Sequence, residues 1–70
     1  METKLFDVVA LLEDFPAHNL IRGQVGTIVE KLGHDAFEVE FSDNAGRTYA
    51  TLALQSSQFL VLRHDVVAVA

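Results

Sequence analysis

Apolar and polar residues alternate most regularly in two neighbouring stretches in the middle of the chain. Residues 22–30 (RGQVGTIVE) contain two glycines three positions apart, followed by a β-branched run. After a short break, residues 37–41 read Phe-Glu-Val-Glu-Phe, a strict alternation of apolar and acidic side chains. Such alternation is typical of a half-buried strand. The pattern therefore predicts a twisted antiparallel β-sheet at the centre of a small fold.

The flanking segments predict further strands. Residues 5–12 (LFDVVALL) also fit a helical spacing, but the paired valines and the short length favour a strand. Phe6, Val8 and Ala10 lie on one face of this strand. Both of its faces are largely apolar, so either both are covered or the strand bends across a barrel corner. The other strands are predicted at residues 25–31, 36–42, 47–54 and 59–63.

Turn-forming residues mark the connections. Residues 13–21 (EDFPAHNLI) form a long loop, and its last two residues, Leu20 and Ile21, are expected to fold back on the domain. Residues 43–46 (DNAG) predict a hairpin loop. Residues 55–58 (QSSQ) predict a single turn of tight helix before the last strand.

Three glycines have specific conformational roles in this prediction. Gly23 and Gly33 suit turn positions with a positive φ angle. Gly26 interrupts a strand pattern, which indicates a β-bulge or a close approach of another chain segment to the backbone.

Together these elements predict an all-β fold, a small SH3-like barrel of five or six antiparallel strands. Because no linker, repeat or low-complexity segment interrupts the chain, residues 1–70 form a single domain. Residues 65–70 (DVVAVA) are an apolar tail. The tail either adds a sixth strand to the barrel or pairs with another chain, and the second alternative is favoured slightly.

Composition adds a constraint on the core. The chain has 70 residues, 50% of them hydrophobic, and no cysteine. A domain of this length buries only about 60% of the surface that its unfolded chain exposes. Without cysteine, neither disulfides nor zinc–thiolate sites add stability. We therefore expect an efficiently packed core together with apolar surface that another chain covers.

The charge balance disfavours one class of partner. Ten acidic and five basic residues give a net charge of −5. Since Lys and Arg supply most of the affinity for phosphates, nucleic acid is an unfavourable partner. No apolar stretch approaches the ~20 residues that span a bilayer, and the first residues lack the pattern of a secretory signal. We expect a cytoplasmic protein without a membrane partner.

Catalytic and metal-binding patterns are weak. Glu38 and Glu40 share one face of a strand whose other face is apolar, so they are expected to meet water rather than act as an acid–base pair. No nucleophile elbow or dinucleotide-binding glycine pattern is present. We expect neither catalysis nor a cofactor. Three histidines lack a second ligand at metal-binding spacing and are interpreted as solvated: His18, His34 and His64.

Two surface features favour a protein partner. Phe15 and Tyr49 lie outside the inward-facing alternation, and with Leu20 they are candidates for lining a groove beside the long loop. In the alternative interpretation, Phe15 and Leu20 simply cap the open end of the barrel. The second feature is the tail, whose β-branched residues need a place to pack: Val66, Val67 and Val69.

Two resemblances bear on function. Residues 23–29 (GQVGTIV) resemble the turn-and-strand element of KOW-type barrels in ribosomal and transcription proteins, in which the backbone near the glycine approaches RNA. The blocks at residues 5–16, 22–30 and 37–54 resemble a family of small bacterial proteins known only as a domain of unknown function. That resemblance implies an SH3-like barrel with a binding role, encoded beside toxin-like or other small partners. It implies no catalytic residue.

These observations favour a non-catalytic protein–protein interaction module. Its partner is a second copy or a neighbouring protein, for which the domain acts as an acidic antitoxin-like or accessory component. One alternative is a KOW-like barrel associated with nucleic acid, which a basic patch of Arg22, Lys31 and Arg47 would favour. Another is a subunit-like barrel that stabilises an enzyme.

Overall fold

The computed structural model describes residues 3–63, in which five antiparallel strands form one sheet. This confirms the all-β prediction. Two short 3-10 helices, Pro16–His18 and Ser56–Gln58, lie in the connections, and the second is the predicted tight turn. The strands are β1 (Val8–Leu11), β2 (Val25–Gly33), β3 (Ala36–Ser42), β4 (Thr48–Leu54) and β5 (Phe59–Val61). β3 has its predicted bounds, whereas β1, β4 and β5 are shorter than predicted and β2 is longer.

The strand order across the sheet is β4-β3-β2-β1-β5, and all neighbours are antiparallel. Within residues 3–63 the sheet is open, with β4 and β5 as its edges, rather than closed into a barrel. The sixth strand considered for residues 65–70 lies outside the described residues.

One face of the sheet carries the hydrophobic core. The alternating apolar residues of β3 point into it as predicted, with Val39 and Phe41 fully buried. The Phe37 ring meets that of Phe59 edge to face, with centroids 5.8 Å apart. Because only one face is packed, side chains of opposite parity remain at the outer surface. The buried core consists of Val9, Leu11, Leu20, Ile28, Phe37, Val39, Phe41, Leu54 and Phe59.

Gly26 lies where two side chains of β3 cross the backbone of β2. A Cβ atom at this position would lie 2.7 Å from Cγ1 of Val39 and 2.9 Å from the ring of Phe41. Its pairing with Val9 is regular, and the register shifts of β2 occur later in the strand. The close approach predicted at Gly26 is thus confirmed, and the alternative of a bulge there is wrong.

The first strand begins at Val8 rather than at residue 5, because a turn precedes it. The N–H groups of Lys4 and Asp7 close this turn, one donating to Asp7 Oδ2 (2.9 Å) and the other to the Lys4 carbonyl (3.2 Å). Phe6 in the turn has φ 69° and its side chain is 73% exposed, so its predicted place in a strand is wrong. On β1 itself, Val9 is buried, whereas Val8 and Ala10 are only half-buried.

Gly33 does not have the predicted positive φ angle. It is the last residue of β2 and pairs with Ala36, so residues 34–35 alone make the connection. Two register shifts in the β2–β3 ladder bring the strand to this pairing without a left-handed residue. Positive φ angles occur instead at Gly23 (92°), as predicted, and at Gly46 (81°) in the predicted hairpin loop.

The long loop folds back through Leu20 but not through Ile21. Backbone hydrogen bonds join Phe15 and Leu20 in both directions (2.8 and 3.2 Å), and Asn19 supplies the left-handed residue of the turn. This places Leu20 in the core with no exposed surface. Ile21 is 63% exposed, because its N–H donates to Gln24 Oε1 at the surface. The prediction for Ile21 is therefore wrong.

Candidate partner-binding face

An apolar row crosses three strands on the outer face of the sheet. Ala10 of β1 lies directly opposite Leu60 of β5 on one side and Val25 of β2 on the other. Directly opposed residues have Cβ atoms about 5 Å apart, so the three side chains are in contact range. Leu60 is 55% exposed and Val25 is 49% exposed. The row is therefore continuous and open to water.

The row widens along β1. Val8, two residues before Ala10, shares its face and is half-buried. Leu12, directly after the strand, is 46% exposed, and its backbone N–H donates to the carbonyl of Gln58 (3.0 Å), which fixes it beside the start of β5. We call Val8, Ala10, Leu12, Val25 and Leu60 the apolar strip. It exists because β1 is apolar on both faces and only the Val9–Leu11 face enters the core.

Carboxylates occupy the neighbouring part of the same face. Glu30 of β2 lies directly opposite Glu38 of β3, and Glu40 follows two residues later on that face. The β4 residues paired with the two β3 carboxylates are Ala53 and Thr51, which carry no charge. We call Glu30, Glu38 and Glu40 the acidic rim.

No cation of the described chain neutralises this rim. In residues 3–63 the ion pairs are Lys4 with Asp7 and Arg47 with Asp43, and neither involves a rim residue. Nor does any group of three His, Asp or Glu in that part of the chain have the arrangement needed to hold a metal ion. The rim is therefore a spread of negative charge on a surface rather than a chelating site.

A comparison with known protein families gives a match over residues 5–61. The chain belongs to the family described as a domain of unknown function, DUF4926. The match spans all five strands, and with them the apolar strip and the acidic rim. No curated protein and no solved structure matches this DUF4926 domain.

Two of the residues predicted to line a groove, Phe15 and Leu20, belong to the core side of the DUF4926 domain rather than to the apolar strip. Phe15 is half-buried and packs against the core, and Leu20 is completely buried within it. Both positions fit the alternative in which these residues cap the core. Tyr49 is 50% exposed, and its hydroxyl accepts a hydrogen bond from Gln24 Nε2 (2.8 Å). The tail residues Val66, Val67 and Val69 lie outside the described residues.

Sequence reasoning missed the two most exposed members of the strip, Val25 and Leu60. The available signal was the apolar character of both faces of β1, which is unusual for a strand that has one face in water. Which residues flank Ala10 depends on the register of β1 with β2 and β5. Register follows from long-range pairing that a single sequence does not contain.

The basic residues considered for a nucleic-acid interface do not form one patch in the DUF4926 domain. Lys31 pairs with Phe37 near the start of β3. Arg47 contacts Asp43, which lies just after the end of that strand. Five residues of extended strand separate these ends, a distance of about 17 Å. The Arg47 guanidinium is also partly neutralised, since its Nε lies 3.4 Å from Asp43 Oδ2.

Apart from the acidic rim, the side chains of residues 3–63 that were considered for catalysis or metal binding lie singly on the surface. His18 and His34 are exposed on different connections, and His64 lies outside the described residues. No polar or charged residue is buried among residues 3–63, and that region encloses no pocket. It also contains no helix with the length and apolar character needed to cross a membrane.

Asp7, which directly precedes the strip, has a perturbed ionisation. The backbone N–H of Lys4 donates to its carboxylate and is the main reason that the pKa of Asp7 lies below its ordinary value of 3.8. The Lys4 ammonium, 3.3 Å from the other carboxylate oxygen, and the charge of Arg63 act in the same direction. Partial burial opposes them. The ionised carboxylate thus holds the turn that starts β1.

Proposed function

We propose that this DUF4926 domain is a non-catalytic protein–protein interaction module whose partner packs on the apolar strip. The observation that carries the proposal is the continuity of the strip, in which register places Leu60, Ala10 and Val25 side by side in water. Contiguous exposed apolar surface of this kind marks interaction sites, whereas singly scattered apolar residues need no explanation.

A binding role also agrees with the placement of the reactive side chains. Of the side chains considered for catalysis, His18 and His34 are exposed on different connections, and Glu38 and Glu40 lie half-buried on the outer face of β3, where no pocket encloses them. Acid–base catalysis needs carboxylates in a shaped, partly dry site that shifts their ionisation. The side chains that the fold brings together are those of the strip and the rim. These suit contact with a surface.

The finer architecture that we propose is an SH3-like barrel that stays open between its edge strands β4 and β5 in residues 3–63. The support is the strand order β4-β3-β2-β1-β5, the long loop between β1 and β2, and the 3-10 turn immediately before β5. On such a frame the domain acts as an accessory or antitoxin-like component bound to a neighbouring protein. A KOW-like role with nucleic acid is less well supported, because Lys31 and Arg47 are separated and the acidic rim repels phosphates.

The experiment compares partner capture by the strip variant Val25→Gln/Leu60→Gln with capture by Ile21→Gln. Each variant is made in the tagged full chain and expressed in the cells in which the protein naturally occurs. Ile21 is the matched control because it is as exposed as the strip residues but lies in the loop. Exposed substitutions of this kind are expected to change stability by no more than about 0.5 kcal/mol.

We expect one stoichiometric protein with the wild type and the control, and about tenfold less of it with the strip variant. Equal recovery by all three proteins would contradict the proposal, as would recovery of nucleic acid alone. Native mass is measured on the same samples. A dimer that the strip variant dissociates would identify a second copy as the partner.

A further inference from the structure

We propose that the partner of this face is a basic protein, whose Lys or Arg side chains meet the acidic rim while its apolar residues cover the strip. This inference rests on the proposed function and adds the chemistry of the partner. It follows from the position of the rim, from its unbalanced charge, and from the classes of molecule that this charge repels.

The strip and the rim are close enough for one partner surface to contact both. In the register of the sheet, Val8 lies opposite Thr27, and Thr27 lies opposite Glu40. Neighbouring strands are about 4.8 Å apart, so the apolar Val8 and the carboxylate Glu40 are separated by about 10 Å. Thr27, half-buried between them, presents no bulky obstacle. A partner that covers the strip therefore lies over the rim as well.

The rim is electrostatically unfavourable in the isolated chain. Glu30 and Glu38 are directly opposed across two strands, an arrangement in which like charges destabilise a sheet. The other side chains in register with the rim are neutral: Thr27, Thr51 and Ala53. A cationic group supplied from outside relieves this repulsion at a moderate cost in desolvation, because Glu30 is exposed while Glu38 and Glu40 are half-buried.

The same charge decides between kinds of partner. Nucleic acids and anionic membranes carry phosphates, which the rim and the net charge of −5 repel. A second copy of the chain carries that same net charge, so charge repulsion opposes self-association through this face. A basic protein surface is attracted both by the rim and by the net charge of −5. The attraction also speeds its association.

The test uses a defined probe, a short fluorescent peptide with alternating Lys and Leu, and a counterpart in which Ser replaces Lys. The rim variant is Glu30→Gln/Glu38→Gln/Glu40→Gln. Its matched control, Glu13→Gln/Asp14→Asn/Asp35→Asn, removes the same charge from exposed positions off the sheet face. Binding is measured by fluorescence anisotropy from about 50 mM to about 500 mM salt, a range that shortens the screening length severalfold.

We expect the Lys–Leu peptide to bind the wild type and the control variant within about twofold of each other. Loss of three surface charge contacts should weaken its binding to the rim variant by about tenfold. High salt should remove most of that difference. Val25→Gln/Leu60→Gln should weaken both peptides.

Three results would overturn the inference: no binding of the Lys–Leu peptide, an equal loss in both charge variants, or equal binding of the Ser–Leu peptide. If the Ser–Leu peptide binds the wild type equally well and the strip variant poorly, the proposed function stands and only the charge of the partner is wrong. If neither peptide responds to the strip variant, the proposed function fails as well.

Discussion

At the scale of single residues, Gly26 shows how one missing side chain lets the core close. Val39 and Phe41 occupy the space that its Cβ atom would need. The Phe41 ring consequently lies against the backbone of β2 and is completely buried. The sequence alone predicted either a β-bulge or a close approach at this position, because a glycine within a β-branched run is typical of both. It could not predict which side chains make that approach.

We therefore expect Gly26→Ala to destabilise the domain by about 1–3 kcal/mol, the usual cost of forcing extra atoms into a packed core. Gly26→Val should cost more. Gly33→Ala is the control, since a Cβ atom there meets nothing within 4 Å and its φ angle is not left-handed. It should be neutral or slightly stabilising. Urea unfolding monitored by circular dichroism measures all three, and an unaffected Gly26→Ala variant would mean that the strands separate easily at this point.

At the scale of elements, strict alternation predicted β3 in full, whereas β1 was ambiguous. Phe37, Val39 and Phe41 alternate with acidic residues, so both bounds and faces followed from the pattern. The residues of β1 are apolar on both sides, which left open which face is covered. The start of β1 also depended on a side-chain contact between Asp7 and Lys4 that local propensity does not reveal.

The contact between Lys4 and Asp7 predicts how the free energy of unfolding depends on pH. Because the pKa of Asp7 in the folded chain lies below its ordinary 3.8, the folded state favours the ionised carboxylate. The stabilisation that the ionised Asp7 carboxylate gives to the fold is complete well above pH 3.8. It is lost as the pH falls through the lower pKa of the folded state. Asp7→Asn should cost about 1 kcal/mol at neutral pH. The difference in the free energy of unfolding between wild type and Asp7→Asn should close as the pH falls below 3.8 and through the lower folded pKa of Asp7.

Lys4→Met separates the two contributions of Lys4 to this effect. It removes the ammonium group but retains the backbone N–H, which is the larger cause of the lowered pKa. Most of the pH dependence should therefore survive in this variant. Chemical unfolding at a series of pH values measures it, and a gap between wild type and Asp7→Asn that does not change with pH would show that the carboxylate charge has no role in the turn.

At the scale of the whole molecule, the outer face combines features that the isolated chain does not need. An apolar strip exposed to water and a directly opposed Glu30–Glu38 pair both weigh against the free domain. The composition predicted the totals, namely a high apolar content and a net charge of −5. It could not predict that both would meet on one face, because that depends on which strands are neighbours.

If the rim serves a partner, removing part of its charge should stabilise the free domain while weakening binding. We expect Glu38→Gln to raise the free energy of unfolding by about 0.5 kcal/mol at low salt, because it relieves the repulsion from Glu30. The gain should shrink as salt screens the pair. Glu13→Gln, which removes the same charge outside the strands, should show a smaller gain.

The measurement is urea unfolding at low and high salt, paired with anisotropy of the Lys–Leu peptide. A Glu38→Gln variant that is less stable than wild type would mean that this carboxylate supports the sheet, and the rim would then need no partner to explain it.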